Sequence, residues 1–268
     1  MYQMDRKVEI MGIVNLTPDS FFPGSRILSP DGTLDQDALV ARVAGMIRDG
    51  ADIIDVGACS TRPGSEPVSA GEEWERLSSP LRLIRDAFPG ITLSIDTFRA
   101  SIVSKAFDAI GPFIINDVSG ASDHSILSLA SSLGLTYICT HCSTEGSPDI
   151  TDRVSSFFRE FSSRAEEAGV EDWILDPGFG FGKSLEENYS LLENLPSLRS
   201  AGRKILVGVS RKSMVYKLLG ITPEESLVPT QALHMAALER GADILRVHDV
   251  AETVQTVKLW RSLNAGMA

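Results

Sequence analysis

The sequence predicts an α/β protein of the (β/α)8, or TIM barrel, class, folded as a single domain over residues 1–268. Two observations predict it. Eight short apolar tracts recur along the chain, each followed by a longer segment with helical spacing, and no Pro/Gly/Ser-rich linker or low-complexity run breaks the alternation. The length also lies near the roughly 250 residues that eight such units need. A doubly wound open sheet alternates in the same way, but eight evenly spaced units without a linker favour closure.

The tracts lie at residues 9–15, 52–57, 92–97, 113–118, 136–141, 173–178, 204–210 and 244–249. Each is apolar at successive positions and rich in β-branched residues, as expected of parallel strands covered on both faces. Between them, Leu39, Val43, Met46 and Ile47 share one helical face, and Gly50 stands where a C-cap belongs. A second pattern starts at Asp152 and runs through Val154, Phe157, Phe158 and Phe161. Leu185, Tyr189 and Leu192 form a third, and Leu233, Ala237 and Leu238 a fourth. Pro80 interrupts the pattern between Trp74 and Phe88, which predicts a kink or two short helices there.

Bulk composition narrows the function. A formal net charge of -11 opposes a general role on nucleic acid or anionic membrane, both of which call for a basic surface. Cys59, Cys139 and Cys142 are too few for a disulfide framework in a chain this long. The first twenty residues lack the apolar core of a signal peptide, and no apolar run approaches the roughly 20 residues needed to span a bilayer. The expected location is cytoplasmic.

In such a barrel the chemistry sits at the C-terminal ends of the strands and in the loops that follow. Polar residues gather there: Asn15 ends strand 1, Asp55 lies near the end of strand 2, Asp96 ends strand 3, Asn116 and Asp117 end strand 4, and His141 ends strand 5. Asp176 ends strand 6, Ser210, Arg211 and Lys212 follow strand 7, and Arg246 and His248 end strand 8. Carboxylates among apolar strand residues must find a donor or neutralise. They either cap helices or pair with Lys212 inside the barrel mouth, or together suit a planar ligand rich in N–H donors, since a carboxylate can accept two parallel N–H bonds. Asn offers both a donor and an acceptor, so it can read a mixed edge. Lys212, Arg246 and His248 place positive charge beside Asn15 and the Thr61-Arg62-Pro63-Gly64 loop, which suits a phosphorylated ligand; ion pairing with Asp96 or Asp176 is the bland alternative. The glycines of residues 178–183 match neither the dinucleotide fingerprint nor the P-loop spacing. They let the chain turn after Asp176 and Pro177 and present Phe181 to a ring, with core packing as the other use of Phe179. Cys139 and Cys142 have CxxC spacing, but no second cysteine pair accompanies them.

Seven segments in order along the chain, MGIVNLTPDSF, GADIIDVGACSTRPG, SIDTFRA, FIINDVSG, ILDPGFGFGKSLEENY, LVGVSRKSM and LRVHDV, resemble those of dihydropteroate synthases, from Met11 to about Val250. The resemblance implies a transferase of folate biosynthesis that condenses 6-hydroxymethyl-7,8-dihydropterin pyrophosphate with 4-aminobenzoate to give 7,8-dihydropteroate and pyrophosphate. It implies that Asp96, Asn116, Asp176 and Lys212 hold the pterin with Arg246 stacked on it. Asn15, Arg246 and His248 would hold the pyrophosphate, Asn15 through Mg2+. Thr61, Arg62, Phe181 and Ser213 would line the aminobenzoate site. Arg62, Lys212, Arg246 and His248 are the residues expected to act in the reaction. A homodimer through the outer helices and a place among sulfonamide targets are also implied.

The chain departs from the family pattern at three places. Phe22-Pro23-Gly24-Ser25 stands where Ser-Asp-Gly-Gly is usual, Ala58-Cys59 where Gly-Glu is commoner, and Cys142-Ser143-Thr144 where Met and a basic or polar residue are usual. Two other readings share the pterin logic: a methyltetrahydrofolate-binding methyl-transfer barrel and a catalytically weak pterin-binding paralogue. The STRPG and SRKS segments oppose the first, and the altered first loop favours the second.

Overall fold

The computed structural model describes residues 6–16, 34–59 and 68–265. Eight parallel strands among them form the predicted barrel: β1 Glu9–Asn15, β2 Ile53–Gly57, β3 Thr92–Asp96, β4 Ile114–Asp117, β5 Tyr137–Thr140, β6 Trp173–Asp176, β7 Leu206–Val207 and β8 Ile244–Val247. They run in the order β6-β5-β4-β3-β2-β1-β8-β7. A single bridge, Leu175 to Ile205, with the Leu175 N–H on the Lys204 carbonyl at 3.0 Å, closes β6 onto β7. Around them lie α1 Gln36–Asp49, α2 Ala70–Ala87, α3 Ala100–Ile110, α4 His124–Leu133, α5 Ile150–Ala168, α6 Leu185–Glu193, α7 Ser213–Leu219, α8 Leu227–Glu239 and α9 Val250–Ala265. Two helices, α7 and α8, separate β7 from β8. No described helix is long and apolar enough to cross a membrane.

The two-residue period of a strand divides the tracts between two cores. Met11, Ile53, Ile114, Ile138, Ile174, Leu206 and Ile244 point inward and pack into one apolar plug inside the barrel. The alternate residues, among them Ile54, Val56, Leu93, Ile95, Ile115, Leu175, Val207 and Leu245, join the helices in a continuous outer core. Both faces are therefore apolar, which is why the tracts do not alternate in sequence. Two residues beyond the plug the inward positions of β2, β4, β5, β6 and β8 turn polar, and that step places the site.

The helix signals are mostly local. Asp35 caps α1 through the Ala38 N–H, and Gly50 ends it at φ 107°, in the left-handed region that glycine adopts without strain. Helix α5 begins two residues earlier than its apolar pattern, because Asp149 takes the Thr151 and Asp152 N–H groups. Pro80 does not split α2. It sits inside one continuous helix, on the buried stripe of Leu77, Leu81 and Ile84, where its apolar ring packs in the core. That burial offsets the lost backbone hydrogen bond, whose cost is of order 3 kcal/mol in an exposed helix interior.

Candidate active site

The inward residues just above the plug form a polar ring: Asp55 on β2, Ser94 and Asp96 on β3, Asn116 on β4, Thr140 on β5, Asp176 on β6 and Arg246 on β8. Arg246 binds two carboxylates at once, its Nε donating to Asp55 at 2.7 Å and its Nη2 to Asp96 at 3.0 Å. Asp55, fully buried, also accepts the Ser94 hydroxyl at 2.6 Å and the Asn116 amide nitrogen at 3.2–3.3 Å. Asp176 accepts the Gly178 N–H at 2.8 Å and the Thr140 hydroxyl at 3.4 Å. Burial pushes the Asp96 carboxyl up to about 7 against the pull of Arg246. Burial raises Asp176 as well, against Lys212 and the Gly178 N–H.

Glycines keep the mouth open beside these groups. Gly57 is the inward position two residues beyond Asp55, and a Cβ there would lie 3.2 Å from the Asp96 Cβ. At Gly208 an added Cβ would lie 3.8 Å from the Arg246 Cβ and 4.0 Å from the Lys212 Nζ. A side chain at either position would stand against these polar groups.

After β7 the chain sends consecutive residues to different tasks. Arg211 adopts φ 54° and grips Asp249 with two bonds of 2.8 and 2.9 Å, while also donating to the Pro223 and Glu224 carbonyls at 3.0 Å. That turn aims Lys212 into the mouth, where its Nζ donates to the Phe179 carbonyl and stands 4.6 Å from the Phe181 ring centroid. Burial brings the Lys212 ammonium down to about 8, with Asp176 acting against it. Ser213 follows as the half-buried first residue of α7.

His248 is held by Ser210, whose hydroxyl oxygen accepts the His248 backbone N–H at 3.2 Å and lies 3.1 Å from the ring Nδ1. Burial, then the Arg246 guanidinium, depresses the ring to about 3. The expected positive charge at His248 is therefore corrected: the imidazole is neutral. A neutral imidazole keeps one N–H donor and one acceptor nitrogen, and its Nδ1 is the one that meets Ser210. Arg42 on α1, which sequence reading missed, shares a cleft with Met46, His248 and Val250.

The loop after β6 depends on its glycines at one point above all. A Cβ on Gly178, at φ 70°, would lie 1.9 Å from the His141 carbonyl oxygen. Lys183 folds back over this loop and donates to the carbonyls of His141, Gly178 and Phe181 at 2.8–3.1 Å, and Asn188 receives the Gly180 N–H at 2.7 Å. These two residues, also missed in the sequence, shape the loop. Phe179 is fully buried in the outer core, whereas Phe181 is half-buried under Lys212.

Not every polar strand end reaches the mouth. Asp117 faces outward, binding the Tyr137 hydroxyl and, at 2.7 Å, the Ser119 N–H. His141 is also outward, fully buried with its ring edge-on to Phe157 at 5.0 Å. The inward partner on β5 is Thr140. Asn15 ends β1 half-buried, paired in register with Gly57, which in turn pairs with Asp96. Thr61 and Arg62, like Phe22 to Ser25, lie outside the described residues. The flanks of that segment are tied by Arg99, which donates to the Val68 carbonyl at 2.6 Å and to the Cys59 sulfur at 3.4 Å and pairs with the buried Glu73. Burial, then the Glu73 charge, holds the Cys59 thiol up at about 11.

The family model described as "Pterin binding enzyme" matches residues 11–248. The chain is 38% identical over 262 residues to dihydropteroate synthase of Escherichia coli strain K12, covering 93% of this chain and 89% of that one. Dihydropteroate synthase of Xanthomonas albilineans, solved with 4-aminobenzoic acid, superposes with a TM-score of 0.87 at 35% identity, covering 98% of this chain and 95% of that one. The Thermus thermophilus enzyme, solved in complex with 6HMPPP, superposes with a TM-score of 0.82 at 34% identity, covering 97% and 96%. With its barrel, its polar mouth and these likenesses taken together, the chain belongs to the dihydropteroate synthases of the pterin-binding enzyme family.

Proposed function

We propose that this chain condenses 6-hydroxymethyl-7,8-dihydropterin pyrophosphate with 4-aminobenzoate, releasing pyrophosphate and 7,8-dihydropteroate. The observation that carries the reading is the set of acceptors at the barrel mouth, half-buried Asp96 and buried Asn116 and Asp176, beside the two cations Lys212 and Arg246. A flat heterocycle rich in N–H groups satisfies such a ring, whereas an apolar or anionic ring would leave buried carboxylates unpaired. The Xanthomonas relative holds 4-aminobenzoic acid and the Thermus relative 6HMPPP, and both substrates suit this mouth.

In the reaction, the bond between the pterin methylene carbon and the diphosphate oxygen breaks, and its electron pair leaves with pyrophosphate. The ring electrons and the neighbouring carboxylates stabilise the methylene cation. The aromatic amine then forms the new C–N bond and loses a proton. Arg246 and His248 would stabilise the charge growing on the leaving oxygens. Lys212 would donate to the ring, while Phe181, Ser213, Thr61 and Arg62 would line the path of the amine. The donor chemistry of Asn15 fits Mg2+: its amide offers a hard, neutral oxygen, and this ion binds through one or two protein oxygens together with phosphate oxygens. Bound there, the ion would supply charge to the leaving diphosphate.

A homodimer and a cytoplasmic location belong to the same proposal. Leu218 and Leu219 on α7, Val228 on α8 and Leu259 and Leu263 on α9 are each more than half exposed, an apolar set on successive outer helices that a second copy could cover. Aminobenzoate mimics such as sulfonamides would compete at the same mouth. The test is pyrophosphate release from purified protein given both substrates and Mg2+. Release that needs both substrates is the expected result, and release at the uncatalysed rate would overturn the synthase reading.

A further inference from the structure

Strands β7 and β8 pair at an offset of 38 residues, Leu206 beside Ile244 and Val207 beside Leu245, and the same offset sets Ser210 beside His248 beyond the strand ends. At the level between, Gly208 stands against Arg246. Ser210 and His248 therefore sit one two-residue step above the arginine, at the rim of the mouth. Ser210 is buried, 4% exposed, and its hydroxyl oxygen accepts the His248 backbone N–H at 3.2 Å. The ring Nδ1 lies 3.1 Å from the same oxygen. A serine hydroxyl has one proton to give and two lone pairs to receive with. Were Nδ1 protonated, it would take the second lone pair, and the hydroxyl proton would be left without an acceptor among the described residues. A buried donor in that state forfeits the bond it had in water. With Nδ1 bare, both groups are satisfied: the backbone N–H on the hydroxyl oxygen and the hydroxyl proton on Nδ1. The same count opposes an imidazolium, which carries a proton on each nitrogen, and burial with Arg246 disfavours that form as well.

We propose that Ser210 is a positioning residue that fixes the tautomer of His248: its hydroxyl donates to Nδ1, so the one ring proton stays on Nε2 as a donor for the diphosphate. The opposite tautomer would set a bare Nε2 lone pair against phosphate oxygens, acceptor against acceptor. The ring borders the cleft it shares with Arg42, Met46 and Val250, and no described residue takes a hydrogen bond from Nε2. The role given to the diphosphate rests on the synthase reading above; the tautomer itself does not. A plainer role for Ser210, as a tie between the ends of β7 and β8 through the backbone N–H, uses one lone pair and leaves the hydroxyl proton unassigned.

The experiment reads the ring nitrogens directly, by NMR at neutral pH on protein labelled with nitrogen-15 histidine, alone and with saturating inorganic pyrophosphate. The His248 signals are those lost in His248→Gln. Nδ1 is expected to be unprotonated and Nε2 protonated, in a ratio of about 10:1 or more. A predominant Nδ1–H form, or protons on both nitrogens, overturns the inference. In Ser210→Ala the hydroxyl is gone, so the ring is released to exchange tautomers and both nitrogens should shift toward averaged values. Calorimetry on the same variant should show inorganic pyrophosphate bound about 3- to 10-fold more weakly, with hydroxymethyl-dihydropterin within about twofold of wild type. A Ser210→Ala ring that keeps the wild-type signals overturns the inference, whatever the affinity. Should that variant not fold, the wild type still decides, because an unprotonated Nδ1 without the shift of a hydrogen-bonded nitrogen would refute the donation from Ser210. A wild type that binds neither pyrophosphate nor pterin would overturn the synthase reading instead, and the tautomer would still be read on the ligand-free protein.

Discussion

Replacing Asp176 by Asn changes one atom of the mouth. The carboxylate accepts the Gly178 N–H at Oδ1 and the Thr140 hydroxyl at Oδ2, at 2.8 and 3.4 Å. It has about four lone-pair sites, so about two remain for a ligand. In Asp176→Asn the Gly178 N–H holds the amide oxygen, and the NH2 takes the place of Oδ2. One ligand N–H then meets a donor instead of an acceptor, and the negative charge beside Lys212 is lost. A hydrogen bond to a charged group is worth about 1.5–3 kcal/mol, so one lost bond and the removed charge should cost roughly 3 kcal/mol, a little over 100-fold in Kd. Calorimetry with a neutral hydroxymethyl-dihydropterin isolates this effect, because the ligand lacks the diphosphate. The aminobenzoate KM should hardly move. Binding within about fivefold of wild type, in a variant with an unchanged melting temperature, would refute the assignment of Asp176 to the ring.

Other outcomes follow from the same geometry. Burial raises Asp96 to about 7, so the empty fold holds this proton more tightly than the unfolded chain does, and its stabilising effect is lost as pH rises through that value. Ligand N–H groups need the ionised form, so pterin affinity should fall about tenfold per pH unit below that value, a limb absent from Asp96→Asn in pH-resolved calorimetry. His248 should show no titration above about pH 5 in imidazole NMR, and His248→Ala should weaken the diphosphate substrate by about 10- to 100-fold while sparing the diphosphate-free pterin. Gly178→Ala should destabilise the fold by about 3 kcal/mol or more in urea titration, since its Cβ would collide with the His141 carbonyl at a left-handed φ. Excess chelator should suppress turnover and added Mg2+ restore it, read as pyrophosphate release.

Much of the barrel was legible because strands covered on both faces carry uninterrupted apolar runs, and eight of these survive any blurring of their ends. What the runs hide is facing. Asn116 and Asp117 look equivalent in sequence, as do Thr140 and His141, yet the register turns the first of each pair inward and the second toward the helices. Only the inward parity of Ile114 and Ile138, visible once the plug is assembled, separates them. Gly57 and Gly208 read as ordinary glycines until their neighbours Asp96 and Lys212 are in place. Pro80 read as a helix breaker because its burial, which compensates for it, belongs to the tertiary structure. His248 read as a cation because its depression comes from burial and from Arg246, neither of which spacing encodes.

A chain of net charge -11 that binds a diphosphate must do so at short range. Salt confines the repulsion of surface acids to about 8 Å, and within the mouth the low dielectric gives the few cations their weight. Arg246 is not idle there before the ligand arrives, because Asp55 and Asp96 divide its donors between them. On the proposed assignment, pterin N–H groups settling on Asp96 would compete with Arg246 Nη2 for the same carboxylate. Asp55 would hold the guanidinium meanwhile, since both Nε and Nη2 lie 2.7 Å from its Oδ2. On the proposed assignment, the two halves of one substrate would then meet at a single arginine. A neutral His248 fits the same site, because burial and then the nearby Arg246 both disfavour its charged form.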